Sequence, residues 1–374
     1  MPPKRRAPVP WSLLGAAALL LAGCSSTGDT TEPSRSAKAR ASKQFDGEHF
    51  NNTLPPRPRA WDANLSLLQQ QLFGDQLRTP PAPIPVLPID PAALDAAPGL
   101  RAWWLGHASV LIELDGKRLL IDPMFSERAS PFSFVGPKRF HPPPIALQQL
   151  PPIDAVLISH DHYDHLDMAT VQYLGRKGTR FVVPLGIGDD LRYWGVPAAQ
   201  VSELDWGESA TVGDITLTST PARHYSGRWL NDRDETLWSS WTMIGPQHRV
   251  FYSGDTGYTP HFKQIGDRYG PFDLTIIEIG AYGPGAYWHD IHMPADQAID
   301  AHVDLRGKRL LPVHWATFNM AFHDWNEPPE IALKAAGQKG VDMVTPRIGE
   351  KVTAGEPFKS TTWWRDVKPQ DKPD

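Results

Sequence analysis

His160-Asp161-His162-Tyr163-Asp164-His165 comes directly after the apolar, β-branched run Ala155-Val156-Leu157-Ile158-Ser159. The run reads as a buried strand, and such a strand delivers the next few residues onto a loop at its C-terminal end. In that loop His160 and His162 can point the same way and chelate one metal ion. Asp164 and His165, past the turn, are placed to chelate a second. Neutral imidazole and carboxylate without thiolate suit zinc or a neighbouring divalent ion in an open, catalytic site. A solvated loop of accidental histidines is the alternative, and a chain with only 14 His in 374 residues argues against it.

A two-metal site needs more ligands than one loop supplies, and His or Asp recurs at three further strand ends. Arg223-His224-Tyr225 follows the run 215–221, Ser253-Gly254-Asp255-Thr256-Gly257 follows 249–252, and His314-Trp315 follows 309–313. His224 would complete a three-histidine site with His160 and His162, and His314 would complete the second with Asp164 and His165. Asp255, with two oxygens, can bridge both ions. A hydroxide held between two divalent ions is a nucleophile at neutral pH, because the metals lower the pKa of bound water towards ~7. Each residue alone reads more readily as a core histidine or a tight turn; their joint placement carries the inference.

Outward from the cluster, short β runs are expected at 102–105, 110–114, 118–121, 155–159, 180–183, 215–218, 238–244, 249–253, 274–279 and 309–313. Helices are expected at 61–72, 167–174, 188–194, 295–303 and 329–336. Two rounds of strands followed by helices are compatible with a duplicated α/β unit. The order fits two sheets with helices outside, a four-layer αββα sandwich. The hydrophobic content of 41% is that of an ordinary globular core, and a net charge of -5 argues against nucleic acid as a partner.

The chain has one cysteine, Cys24, which excludes intrachain disulfides and thiolate metal sites. Lys4-Arg5-Arg6, an apolar stretch from Trp11 to Ala22, and Leu21-Ala22-Gly23-Cys24 resemble a bacterial lipobox with Cys24 as the lipidated residue. An ordinary signal peptide or an uncleaved anchor is the other reading. By resemblance to Gram-negative sorting rules, Ser25 after the cysteine implies an outer-membrane lipoprotein facing the periplasm. The chain then divides into a signal peptide (1–24), a flexible tether (25–58), an N-terminal extension packed on the domain (59–99), a catalytic domain (100–350) and a tail (351–374).

His160-x-His162-x-Asp164-His165 with His224, Asp255 and His314 in that order resembles the metallo-β-lactamase-fold hydrolases, over about residues 100 to 345. Trp104-Leu105-Gly106-His107-Ala108-Ser109, Ile121-Asp122-Pro123, Thr220-Pro221-Ala222-Arg223-His224-Tyr225-Ser226-Gly227-Arg228, Gly280-Ala281-Tyr282 and His314-Trp315-Ala316-Thr317-Phe318 are similar to one branch of it. That branch is the N-acylphosphatidylethanolamine-hydrolysing phospholipase D family and its bacterial relatives. The resemblance implies the αββα metallo-β-lactamase fold and two Zn²⁺. It also implies a phospholipase D-type phosphodiesterase in which the metal-bridging hydroxide attacks phosphorus, with Asp164 in the reacting centre.

By the same resemblance Asp122 and His292 match positions important for activity, although His289 competes with His292. A carboxylate ending a strand beside such a cluster is also a natural partner for an imidazole. His107 is expected near the site and His323 at its mouth. Tyr282, Trp315 and Phe318 are the candidate substrate-binding residues, and Trp229, Trp238, Tyr287, Trp288, Phe322 and Trp325 further candidates to wall an acyl groove. The partners expected are a phospholipid and, through Cys24, a membrane. A lactonase or other metal-dependent hydrolase of the same fold, and a non-enzymatic envelope lipoprotein, are the alternatives.

Overall fold

A computed structural model describes residues 37–58, 63–94, 97–283 and 285–369; Cys24 and the signal-peptide reading lie outside them. The first seven-stranded sheet takes the order β14-β1-β2-β3-β4-β5-β6. Its strands are β1 (Leu100–Gly106), β2 (Ser109–Leu114), β3 (Lys117–Ile121), β4 (Ala155–Leu157), β5 (Arg180–Pro184), β6 (Val201–Leu204) and β14 (Lys351–Thr353). The second sheet, also of seven strands, takes the order β13-β12-β11-β10-β9-β8-β7. It holds β7 (Ser209–Val212), β8 (Ile215–Thr220), β9 (Ser240–Ile244), β10 (Arg249–Tyr252), β11 (Leu274–Glu278), β12 (Arg309–Val313) and β13 (Asp342–Met343). Both sheets begin antiparallel and turn parallel, from β3 to β6 and from β10 to β13. The same plan occurs twice in one chain.

Strand periodicity dictates the layers. Ala102, Trp104, Val110, Ile112, Leu119 and Ile121 face the core between the sheets, where they meet Leu217, Trp241, Met243 and Tyr252. Their neighbours Trp103, Leu105, Leu111 and Leu120 face the other way, onto helices α3 (Met168–Arg176) and α4 (Ile187–Tyr193) through Val171, Leu174, Ile187 and Leu191. A sheet apolar on both faces must be covered on both. The second sheet is covered by α5 (His261–Tyr269), α6 (Ala295–Asp304) and α7 (Glu327–Lys339), which contribute Phe262, Ile299 and Ala332 to the core. The fold is the expected four-layer αββα sandwich. Parallel neighbours need crossovers, so the parallel strands point one way and present their loops together at one end.

Differences from the sequence expectations have local causes. Strand β4 ends at Leu157 rather than 159, because the Ser159 amide donates to Asp122 Oδ1 at 2.7 Å instead of to a neighbouring strand. Strand β9 starts at Ser240 rather than 238, since the Leu237 and Ser239 amides bond to Leu185 and Ser159. Helix α7 begins earlier than expected, with Pro328 and Pro329 in its first turn, where a missing N–H costs nothing. Helix α5 is too polar to stand out: only Phe262, Ile265 and Gly266 are buried.

Two domain boundaries also shift. Residues 37–58, assigned to a flexible tether, are ordered against the domain: α1 (Ala37–Arg40) is followed by Phe50, 1% exposed among Leu185, Ala222, Leu237 and Trp238. One buried aromatic anchors a segment whose composition is polar. The expected tail is likewise part of the core. Strand β14 closes the first sheet against β1, and Trp363 and Trp364 are buried against Trp315. The extension is tied in where Leu87 N donates to Ile348 O at 2.8 Å, and helix α2 (Ala63–Phe73) lies within it.

Candidate metal centre

The loops after β1, β3, β4, β8, β10 and β12 converge at the presenting end of the sandwich. Three of their residues, His107 (φ 50°), Asp122 (φ 39°) and His314 (φ 68°), come immediately after a strand and adopt left-handed backbone. Such conformations cost about 1–3 kcal/mol each and persist where the surroundings over-determine them, commonly at functional sites. Gly254 (φ 58°) is required for packing as well, since a Cβ there would lie 2.8 Å from Ser159 Cβ and 2.9 Å from Ser239 O.

Every candidate ligand named from the sequence lies in this cluster, in two groups. His160, His162 and His224 meet Asp255 in one; Asp164, His165 and His314 meet His107 in the other. Within the first, His162 Nδ1 lies 2.9 Å from His160 Nε2 and 3.3 Å from His224 Nε2. Within the second, Asp164 Oδ2 lies 3.3 Å from His165 Nε2 and 3.5 Å from His314 Nε2. Asp255 Oδ2 stands between the groups, 3.2 Å from both His165 Nε2 and His314 Nε2, 3.7 Å from His160 Nε2 and 3.9 Å from His224 Nε2.

These separations fit metal ligation. Ligand atoms ~2.0–2.1 Å from a tetrahedral ion are about 3.3 Å from one another. His165 Nε2, His314 Nε2 and Asp255 Oδ1 are buried without a hydrogen-bond partner, an arrangement that a cation in the cluster relieves. The outer hydrogen bonds fix the tautomers. His224 Nδ1 donates to Ile291 O at 2.7 Å, His165 Nδ1 to Asp122 Oδ2 at 2.7 Å, and His160 Nδ1 to Ser159 Oγ at 2.9 Å. Each therefore turns an Nε2 lone pair inward.

The electrostatics differ between the halves. Burial, reinforced by neighbouring imidazoles, holds His160 and His224 well below the usual histidine range and takes His162 to about 4, so their lone pairs are free. In the other half burial acts in the same direction but is outweighed. Asp255 and Asp164 hold His165 well above that range and push His314 up to about 10. Asp255 itself lies well below the carboxylate range: burial opposes this, and His165 and His314 overcome it. The carboxylate-rich half thus attracts positive charge, whether proton or metal. His107 is the exception. Burial takes it to about 3, and it is a neutral donor to Asp164 Oδ2 at 2.7 Å.

Asp122 is fully buried and accepts four bonds: from Ser159 N at 2.7 Å, Ser159 Oγ at 2.5 Å, His165 at 2.7 Å and Tyr252 OH at 2.5 Å. His292 is brought to the cluster and His289 is not in any of its groups. His292 Nδ1 lies 2.7 Å from Glu278 Oε2, while Glu278 Oε1 accepts from Thr256 N at 2.6 Å. Glu278 is not singled out by the sequence because it ends the apolar strand Leu-Thr-Ile-Ile-Glu; a carboxylate closing such a strand was the available signal. Asp161, also passed over, ties the histidine loop to the 226–236 loop by accepting from Gly227 N at 2.8 Å and Thr236 Oγ1 at 2.9 Å.

The aromatic candidates separate. Phe318, 8% exposed, packs edge-on against His107 and lines a cleft with Phe140, Trp325 and Arg78 beside His314. His323 lines the same cleft, its Nε2 accepting from Ala281 N at 3.1 Å. Trp315 reaches that cleft but is 4% exposed and stacks between Trp104 and Trp363, each with centroids 5.2 Å away. Tyr282 packs on His323 and donates its hydroxyl to Glu327 at 2.9 Å. Trp238 is a core residue, 1% exposed, packed with Phe50, Leu185, Ala222 and Leu237.

The sequence matches the Beta-lactamase superfamily domain over residues 117–315. It is 49% identical over 290 residues to Uncharacterized protein Rv0906 of Mycobacterium tuberculosis, covering 76% of this chain and 77% of that protein. It is 39% identical over 267 residues to N-acyl-phosphatidylethanolamine-hydrolyzing phospholipase D 1 of Caenorhabditis elegans, covering 67% of this chain and 75% of that protein. In fold it is similar to Igni18, a metallo hydrolase of the archaeon Ignicoccus hospitalis, with a TM-score of 0.54 at 24% identity over 70% of this chain and 99% of that one. With its sandwich architecture and its converging histidines and aspartates, the chain belongs to the beta-lactamase superfamily and is a metal-dependent hydrolase of the metallo-β-lactamase fold.

Proposed function

We propose that the chain is a zinc-dependent phosphodiesterase of phospholipase D type, acting on N-acylphosphatidylethanolamine-like phospholipids. The observation that carries the two-ion reading is Asp255 Oδ2, 3.2 Å from a histidine pair on one side and 3.7–3.9 Å from another pair on the other. His160, His162 and His224 would hold one ion and Asp164, His165 and His314 the other, with Asp255 shared. Bound there, two divalent ions supply Lewis acidity toward phosphoryl oxygens and a nucleophilic water at neutral pH.

The chain's own residues supply the rest. Water oxygen bonds to phosphorus as the bond from phosphorus to the ethanolamine oxygen breaks, giving a phosphatidate and an N-acylethanolamine. His292, with Nδ1 engaged by Glu278, has Nε2 left to place a proton on that leaving oxygen. Phe140, Phe318 and Trp325 give the cleft apolar walls, and Arg78 gives it a cation, features suited to an anionic amphiphile. The relatives named for hydrolysing N-acylphosphatidylethanolamine support this substrate class. A lipid anchor at Cys24 on the periplasmic side of an outer membrane would keep the enzyme beside such a substrate.

The test is hydrolysis by the zinc-loaded protein of N-acylated and ordinary phosphatidylethanolamine, bis(4-nitrophenyl) phosphate and a lactone panel, with both products read by mass spectrometry. Phosphatidate with N-acylethanolamine is expected, and lost in Asp255→Ala. Turnover of lactones alone sinks the phosphodiesterase reading.

A further inference from the structure

His224 is held from two sides by a segment that precedes it by 172 residues. Asn52 Nδ2 donates to His224 O at 2.7 Å, and Asn52 Oδ1 accepts from His224 N at 3.1 Å. The same oxygen accepts from Trp238 Nε1 at 3.1 Å, which fixes the amide's orientation. An Asn side chain bonded to both the N–H and the C=O of one residue acts as a partner strand would, defining that residue's backbone without blocking its ring.

The other side of the clamp reaches the ring. Arg57 N donates to Asp290 Oδ2 at 2.6 Å, and Asp290 Oδ1 pairs with Arg223 Nη2 at 2.8 Å. Arg223, only 6% exposed, also donates to Pro55 O at 2.6 Å. Asp290 immediately precedes Ile291, whose carbonyl takes the Nδ1 proton of His224 at 2.7 Å. Backbone, ring acceptor and segment form a closed circuit, anchored by Phe50 in its apolar pocket.

We propose that residues 49–58 form a strap that positions the three-histidine half of the metal centre, with Asn52 the positioning residue for His224. The proposal rests on the metal-dependent reading of the cluster. It gives the N-terminal segment a role in ion retention at one half of the site: the His165–His314 half is held by Asp122 and Asp164 and touches no strap residue through these bonds. Outer partners of metal-bound histidines typically change affinity 10–100-fold.

The experiment is stepwise zinc competition on the full chain with a chromophoric chelator, paired with absorption spectra of the cobalt-loaded protein. Asn52→Ala should weaken one of the two ions about 10–100-fold, leave the other unchanged, and shift the cobalt bands of the weakened site. Asn52→Asp keeps the acceptor for His224 N and Trp238 but loses the donor to His224 O, so it should fall between. It carries the test if Asn52→Ala does not fold. Lys38→Ala, which cuts an exposed ion pair from α1 to Glu208 and involves no strap residue or candidate ligand, should leave both affinities unchanged. Wild-type affinities and cobalt spectrum in a folded Asn52 variant overturn the strap proposal alone. A wild-type chain that takes up no divalent ion overturns the metal reading beneath it.

Discussion

Asp122 Oδ2 lies 2.7 Å from His165 Nδ1, on the side of the ring opposite the nitrogen that faces Asp164 and Asp255. The contact sets the tautomer and pushes electron density toward the inward Nε2. Asp122→Asn keeps the shape and turns an anionic acceptor into a neutral one. Zinc affinity of the Asp164–His165–His314 half should fall roughly 10–100-fold in a chelator competition. Unchanged affinity for both ions would remove Asp122 from the site.

Tyr252 donates to the same carboxylate at 2.5 Å; burial and Asp122 hold its phenol pKa well above the usual range, so it stays a donor. Tyr252→Phe should cost about 1.5–3 kcal/mol in urea unfolding, the worth of a hydrogen bond to a charged group. The zinc content is expected to stay at the wild-type level.

In the proposed two-ion site Asp255 would be shared and His224 would not, which separates two otherwise similar losses. Asp255→Ala should deplete both ions, whereas His224→Ala should deplete one. Elemental analysis after gel filtration distinguishes them; equal stoichiometry in the two variants contradicts the shared placement.

The His292–Glu278 pair predicts a loss in turnover rather than in loading. His292→Gln should lower kcat roughly 10²–10⁴-fold, the range for a positioned acid–base group, with zinc content retained. Glu278→Gln should act in the same direction. An amide that keeps its bond from Thr256 N turns its NH₂ toward His292 Nδ1 and removes the carboxylate acceptor that orients the ring. A Glu278→Gln enzyme with full kcat would break the link.

Removing the ions should lower stability, because the buried carboxylates Asp164 and Asp255 then face only protons as counter-charge. An ion present at 1,000 times its Kd contributes about 4 kcal/mol. Dipicolinate treatment should therefore lower Tm, and added zinc should restore it.

Away from the site, His302 is 3% exposed beside Thr275, and burial takes it to about 4. Between pH 6.5 and 4 the unfolded chain holds a proton there that the folded chain does not. Stability should thus fall as pH drops through that window, by up to about 3 kcal/mol from this group. His302→Gln should flatten the slope in unfolding curves; an unaltered slope would assign it to other groups.

The candidate ligands were legible because their clustering behind strand ends is encoded locally. A strand with two histidines, an aspartate and a third histidine directly behind it admits few readings, and His224, Asp255 and His314 repeat the pattern. Burial on both faces of the strands was equally visible in continuous apolar runs such as Ala155-Val156-Leu157-Ile158. Tyr252 was not, because within an apolar strand nothing local distinguishes an aromatic side chain that meets a buried carboxylate from one that only packs, and Glu278 carried only the weak signal of a carboxylate closing such a strand. Asn52 was hidden by distance: its partner lies 172 residues away, and its neighbours are polar.

By itself the sequence determined the chemistry of the cluster and the layer order, since residue type fixes donor atoms and strand periodicity fixes which faces need cover. Tertiary structure decided which histidines and carboxylates come together, which carboxylate orients which ring, and that the N-terminal segment and the last strand pack onto the domain. Those relationships are separations of about 3 Å between groups far apart in the chain. Only the closing of two sheets onto each other sets such distances.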